Sequence, residues 1–137
     1  QQVVHPNNQY VRRTAVSELA RGWKDDPDTL PLLKGRVEHD DNGDVRRTAV
    51  SELARGWKDD PDTLPLLKGR VEHDDNWAVR RTAVQELARG WKDDPDTLPW
   101  LKGRVEHDDN GDVRRTAVQE LARGWKDDPD TLPWLKG

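Results

Sequence analysis

The side chains of this 137-residue chain that could do chemistry are carboxylates and histidines, and both sit in recurring clusters. The HDDN stretch places Asp40, Asn42 and Asp44 at alternate positions, as the start of a calcium-binding loop does. Such a loop needs Gly at its sixth place and a bidentate Glu at its twelfth, and here those places hold Val45 and Ser51. The HDDN and KDDPD clusters therefore read as helix caps. The histidines, His5, His39, His73 and His107, recur at one spacing, 34 residues apart. Stacked helices would hold them on the order of 10 Å apart, too far to share one ion, so no metal and no cofactor is expected. Absence of cysteine excludes thiol nucleophiles, disulfides and Cys-ligated metals. Every Ser, His and Asp candidate is copied along the chain, whereas catalysis normally needs one singular constellation. The expectation is a protein that is not an enzyme.

The clusters recur because the chain does. Gly35–Lys68 reads GRVEHDDNGDVRRTAVSELARGWKDDPDTLPLLK and returns at Gly69–Lys102 and Gly103–Lys136, a period of 34 residues. A degenerate copy opens the chain, with Val3, His5 and Asn8 over Val37, His39 and Asn42. The units are 1–34, 35–68, 69–102 and 103–136, and Gly137 stands where a fifth would begin. A fixed period of this length means a stacked array in which each repeat touches its neighbours. One domain over 1–137 is expected, its last helix cut short.

Composition sets further bounds. Charged residues are 36% of the chain and apolar ones 32%, a balance that alone would suggest disorder. The apolar residues are periodic, however, and include seven tryptophans. The net charge of −4 is spread with signs interleaved, and no basic stripe meets a phosphate backbone, so no nucleic-acid partner is expected. There is no run of about 18 apolar residues and no signal-like start, so no membrane partner is expected and the cytoplasm is the expected compartment. The chain begins with Gln1 rather than Met and reads as a fragment.

Each unit predicts two helices. In the second, Val45, Ala49, Val50, Leu53 and Ala54 form one apolar stripe. Asp41 or Asn42 is the expected N-cap, Asp44 favours the positive end of the helix dipole, and Glu52 and Arg55 can pair within the helix. Gly56 is expected to end it in the left-handed conformation, with Trp57 packing back on the last turn, as would Trp23, Trp91 and Trp125. A second helix follows DDPD, capped by Asp60 or Asp62, with Pro61 and Pro65 at or before its first turn. Leu64, Leu67 and Val71 form its seam. That seam carries the helix through Gly69 to Glu72 or His73, despite the cost of an interior glycine. The physical unit is thus expected to be the helix pair from about Asp41 to His73.

DVRRTAVSELA (Asp44–Ala54) resembles the first helix of HEAT-type repeats, and DPDTLPLLK (Asp60–Lys68) the second helix of short HEAT-like repeats. The block Val79–Lys102 is similar to repeats of bacterial, especially cyanobacterial, HEAT proteins, some of which sit beside NACHT-type ATPase modules. The resemblance implies an all-α solenoid of stacked antiparallel helix pairs. It also implies an Asp–Arg ladder: Asp40 or Asp41 with Arg46, Asp74 or Asp75 with Arg80, Asp108 or Asp109 with Arg114. Pro6 and Asn7 precede Arg12, which puts the first rung in question. Tetratricopeptide repeats share the period, but their Gly-x-x-Tyr and Ala-x-x-x-Phe signatures are missing. Phycobilin lyases also use HEAT-like repeats, an enzymatic analogy that no residue pattern here supports.

Differences between the copies point to surfaces. Leu32 and Leu66 become Trp100 and Trp134, and Gly43–Asp44 becomes Trp77–Ala78 in the third unit alone. A position that accepts both Leu and Trp is not tightly packed, since overpacking costs about 1–3 kcal/mol. Leu32, Leu66, Trp100 and Trp134 are therefore expected at the rim of the second helices, as an interaction face or as groove fillers. The chain stops midway along a second helix, and QQVVH aligns with the missing half. Val3 and Val4 at one end, and Leu132, Trp134 and Leu135 at the other, are expected to join copies head to tail. The expected function is a non-catalytic scaffold whose partner is another protein or the chain itself. The alternative is a ligand-sensing array from a larger NACHT-type signalling ATPase.

Overall fold

The computed structural model describes residues 8–137, in which eight α-helices follow one another without a strand. Four longer helices, α1 (Gln9–Gly22), α3 (Gly43–Gly56), α5 (Trp77–Gly90) and α7 (Gly111–Gly124), form an A row. Between them come the B helices α2 (Thr29–His39), α4 (Thr63–His73) and α6 (Thr97–His107), and the shorter α8 (Thr131–Lys136).

Each A helix starts on an asparagine. Asn8, Asn42, Asn76 and Asn110 are extended, and each side-chain oxygen accepts from a backbone N–H of the first turn. Asn42 is thus the cap, not Asp41. A glycine ends each A helix, but without the expected left-handed turn: no residue described has a positive φ. The Trp57 N–H still donates to the Leu53 carbonyl at 2.9 Å. The Trp57 carbonyl in turn accepts from Asp60 N–H and from the Thr63 hydroxyl, at 3.1 and 2.7 Å. The turn after the helix thus closes on the Trp57 carbonyl, and Gly56 stays within α3.

The B helices start differently from expectation as well. Asp62 stands at the N-cap in helical conformation with no side-chain cap bond. Asp60 instead braces the turn, accepting from Asp62 N–H at 2.9 Å, a local aspartate turn of the kind DDPD favours. Pro65 lies in the first turn, where its missing N–H costs nothing. The helix runs through Gly69 to His73, and Leu67 and Val71 are fully buried. Gly35, Gly69 and Gly103 face open space where a Cβ would stand.

Successive A helices pack directly on one another, whereas successive B helices make no comparable contact among the described residues. Ala49, Ala83 and Ala117, all fully buried, let the A row approach closely, since interaxial distance follows side-chain size. Each B helix packs mainly on the A helix that follows it, α2 on α3, α4 on α5 and α6 on α7, and only lightly on the one before. The closer pair is therefore B with the next A, and the expected Asp41–His73 pair is the looser one. A continuous core results, with Leu33, Leu53, Leu67, Leu87, Leu101 and Leu121 as its largest fully buried side chains.

Because the Gly69 position is helical and open, Gly69→Ala should raise stability by about 0.5–1 kcal/mol. A higher urea midpoint would show this; a lowered one would mean that the B helix is interrupted at the glycine.

Candidate functional site

Helix A presents two different faces. In α1, which has no described helix before it, the buried residues are Arg12, Val16 and Ala20. In α7, which has no A helix after it, they are Val113, Thr116, Ala117, Glu120 and Leu121. The helix α3, held between neighbours, buries residues of both kinds: Val45, Ala49 and Leu53 backward, Arg46, Val50 and Ala54 forward, while Thr48 and Glu52, the equivalents of Thr116 and Glu120, are half-buried. Every internal joint thus sets a forward face against a backward face.

Polar side chains register that joint. The Arg12 guanidinium grips Asp40 with two bonds, Nε to Oδ2 at 2.8 Å and Nη2 to Oδ1 at 3.0 Å. Arg46 holds Asp74 at 3.0 and 3.1 Å, and Arg80 holds Asp108 at 3.1 and 3.3 Å. Asp41, Asp75 and Asp109 add a more exposed contact to each arginine. The ladder is therefore displaced by one repeat from the expected one. Asp40 takes the arginine of the preceding A helix, while Arg46 donates to the Asp40 backbone carbonyl at 2.8 Å. Arg80 and Arg114 donate likewise to the carbonyls of Asp74 and Asp108. The reason is reach: a turn closes over the forward face of the helix before it, so its carboxylate meets that helix's arginine. The rung in question, between Arg12 and the turn at Pro6 and Asn7, falls outside the described residues; the rung seen for Arg12 is the one to Asp40.

A second ladder runs along the outside of the A row. Arg21 pairs with Glu52 at 2.9 Å, Arg55 with Glu86 at 3.1 Å and Arg89 with Glu120 at 3.0 Å. The expected Glu52–Arg55 pair within α3 does not form, because both residues have partners on the flanking helices. Only Arg123, with no A helix ahead of it, folds back to its own Glu120 at 3.2 Å. The Glu120 hydrogen bond raises the pKa of Arg89. The Asp40 hydrogen bond does the same for Arg12. For Arg46 burial opposes the cation, yet Asp74 outweighs it and the pKa rises.

The tryptophans that end the A helices are less buried than expected. Trp57, Trp91 and Trp125 lie half-buried against the core, with Lys24 5.4 Å from the Trp57 ring and Lys58 6.0 Å from the Trp91 ring. Each of these lysines comes from the repeat before. Trp23 is 58% exposed. Burial of this indole needs a preceding repeat, which short-range pattern could not reveal.

On the B row, Leu32 is 40% exposed, while Leu66, Trp100 and Trp134 lie half-buried against the core. Lys102 stands 5.8 Å from the Trp134 ring, and the buried indole N–H of Trp100 has no acceptor among the described residues. Between α2 and α4 an open groove of about 420 Å³ is floored by Pro65, Leu66 and Gly69 and rimmed by Lys34, Glu38, Asp62 and Arg70. Trp77 is exposed at the start of α5. Beside it Ala78 replaces the aspartate that pairs with Arg47 in α3 and with Arg115 in α7, and Arg81 has no ion pair among the described residues. Leu132 and Leu135 are exposed on α8, while Val3 and Val4 lie outside the described residues, as does His5. Among the described residues no three His, Cys, Asp or Glu side chains gather as a metal site would require, and no helix is long and apolar enough to cross a membrane.

Removing one partner of a buried pair leaves the other charge uncompensated, so Asp74→Ala should cost about 3 kcal/mol in chemical denaturation. A loss near zero would remove the rung from the account of stability. Asp40 supplies the pH dependence. Burial works against its ionisation, but hydrogen bonds from Arg12 and the Asn42 N–H, with the charges of Arg12 and Arg36, hold the carboxyl below its ordinary range. A depressed folded value means that the ionised form adds stability above the ordinary carboxyl range, and that this is lost as pH falls through the folded value. Asp40→Asn should therefore flatten the loss of stability below about pH 4; an unaltered acid limb of the denaturation profile would contradict this.

No curated protein and no solved structure matches the chain. The family of HEAT repeats matches it over residues 1–88 and again over 70–137. With that match and an all-helical stack whose arginine and aspartate rungs tie each repeat to the next, the chain belongs to the HEAT repeat family.

Proposed function

We propose that the chain is a non-catalytic scaffold that binds protein, as HEAT repeats commonly do. The observation that carries this reading is the B-row groove. It is open because the B helices stand apart, its floor is apolar at Leu66, and its rim carries charges of both signs. Such a groove can take alternate side chains of a protein segment while its rim pairs with polar groups, the anatomy of an interface with an apolar centre and a charged edge. Leu32, Leu66, Trp100 and Trp134 then vary the floor from repeat to repeat, and aromatic residues are the type most often dominant in such contacts.

A second reading, that copies join head to tail, is favoured by the far end of the array. Leu135 is 36% exposed and Leu132 60% exposed, whereas Leu33, Leu67 and Leu101, the equivalents of Leu135, are fully buried. In this reading Val3 and Val4 of a second copy complete the B helix that stops at Lys136. The sensing role beside a NACHT-type ATPase rests on resemblance alone, and no observation in the geometry favours it.

Trp100→Ala separates contact from filling. A contact residue predicts weakened association by light scattering with a melting temperature close to the parent's. A loss of about 2 kcal/mol in stability with association unchanged would make Trp100 a groove filler. A strictly monomeric mass across a dilution series would remove the head-to-tail reading.

A further inference from the structure

The third repeat differs from the others at one place on the A row. In each A helix the second arginine of the Arg-Arg pair meets the residue three positions before it, except in α5. Arg13 lies 5.6 Å from the Tyr10 ring, Arg47 pairs with Asp44 at 3.1 Å, and Arg115 pairs with Asp112 at 2.7 Å. In α5 that residue is Ala78, and the exposed Arg81 has no ion pair among the described residues. Just before it stands Trp77, 40% exposed, where α3 and α7 carry Gly43 and Gly111. A large apolar side chain is thus open to solvent between two positions that have none. Gln85, four residues beyond Arg81, replaces Ser51 and makes no side-chain hydrogen bond among the described residues. It lines an open polar groove of about 330 Å³ with Arg47, Thr48, Ser51 and Thr82.

Trp77, Arg81 and Gln85 stand at i, i+4 and i+8, so they share one face of α5 at steps of about 6 Å. The helix lies between α3 and α7, so this exposure belongs to the interior of the array. Tryptophan and arginine are among the side chains that most often dominate protein contacts. We infer that this stripe binds an extended, acidic segment of a protein partner. Alternate residues of an extended chain lie roughly 6.6 Å apart on one side, close to the step along the stripe. An apolar side chain then covers Trp77, and a carboxylate two residues on takes the Arg81 guanidinium with two parallel bonds. The Gln85 amide, donor and acceptor at once, meets the backbone beyond it. Charge selects the acid. Asp44 and Asp112 neutralise their own arginines, whereas Ala78 leaves one positive charge over, and a basic segment would set like charges together. The inference rests on the reading of the chain as a protein-binding scaffold, at a face separate from the B-row groove.

The probe is a fluorescent serine peptide with leucine and glutamate two positions apart; in two companions lysine or serine replaces the glutamate. By fluorescence anisotropy the full chain should bind the glutamate peptide about tenfold more tightly than either companion. Trp77→Gly with Ala78→Asp restores the residues that stand at this place in the second and fourth units, where the same helix forms around them. This double variant, with an unchanged circular dichroism spectrum, should lose about tenfold in affinity for the glutamate peptide. Arg81→Glu should reverse the preference toward the lysine peptide, and Trp100→Ala on the B row should leave the affinity as it was. Equal affinity of the parent for all three peptides, or none at millimolar peptide, overturns the acidic segment. Affinity unchanged in the double variant overturns the stripe. A fall with Trp100→Ala in its place would move the contact to the B-row groove, and the scaffold reading would stand. Self-association of the parent that the double variant abolishes in sedimentation velocity would make a second copy the occupant and overturn the acidic segment.

Discussion

An unpaired buried carboxylate is costly, and Asp40, Asp74 and Asp108 each meet an arginine from the A helix of the repeat before. Asp40, Asp74 and Asp108 lie within the turns that reverse the chain from B helix to A helix, buried almost completely. Each is held by two bonds from an arginine on the preceding A helix and also accepts the N–H of the asparagine two residues on. Those asparagines cap the A helices. One residue therefore couples the start of a helix to the position of its neighbour. A buried ion pair is poor evidence of net stability, since an apolar substitute often does as well. Its contribution is register: the bidentate fork accepts one geometry, and a repeat that slipped along its neighbour would leave both charges unpaired.

The same logic explains why no repeat is self-sufficient. A helix pair buries only part of its apolar surface against itself, and each A helix has two distinct faces that its neighbours must cover. The small residues Ala49, Ala83 and Ala117 draw the A row together, whereas Leu, Trp and Pro on the B row keep that side open. An array built this way has a dense polar-laced row and a grooved row. The proposed protein partner would lie in that groove, across successive repeats.

Much of this was legible from spacing. The 34-residue period gave the array, the stripes at Val45–Ala54 and Leu64–Val71 gave both helices, and the seam through Val71 carried the B helix past Gly69. Local signals were less dependable where two side chains could serve one purpose. Asn42 prevailed over Asp41 as cap, Asp60 braced its turn instead of capping a helix, and Gly56 stayed helical, the turn beyond it closing on the Trp57 carbonyl. The ion pairs were the least legible part. Glu52 and Arg55 stand at pairing distance along one helix, yet both turn outward, because the flanking helices offer partners that sequence separation alone does not reveal.

Sequence by itself determined the period and the two helices of each unit, since these depend on side chains close together along the chain. Tertiary structure decided which arginine meets which aspartate, which B helix belongs with which A helix, and how far each tryptophan is covered. Those outcomes depend on how one repeat lies on the next, and identical repeats spell the same pairings within a unit as between units. Only the stacking, which points Arg46 at Asp74 and leaves it just a carbonyl of Asp40, separates the two.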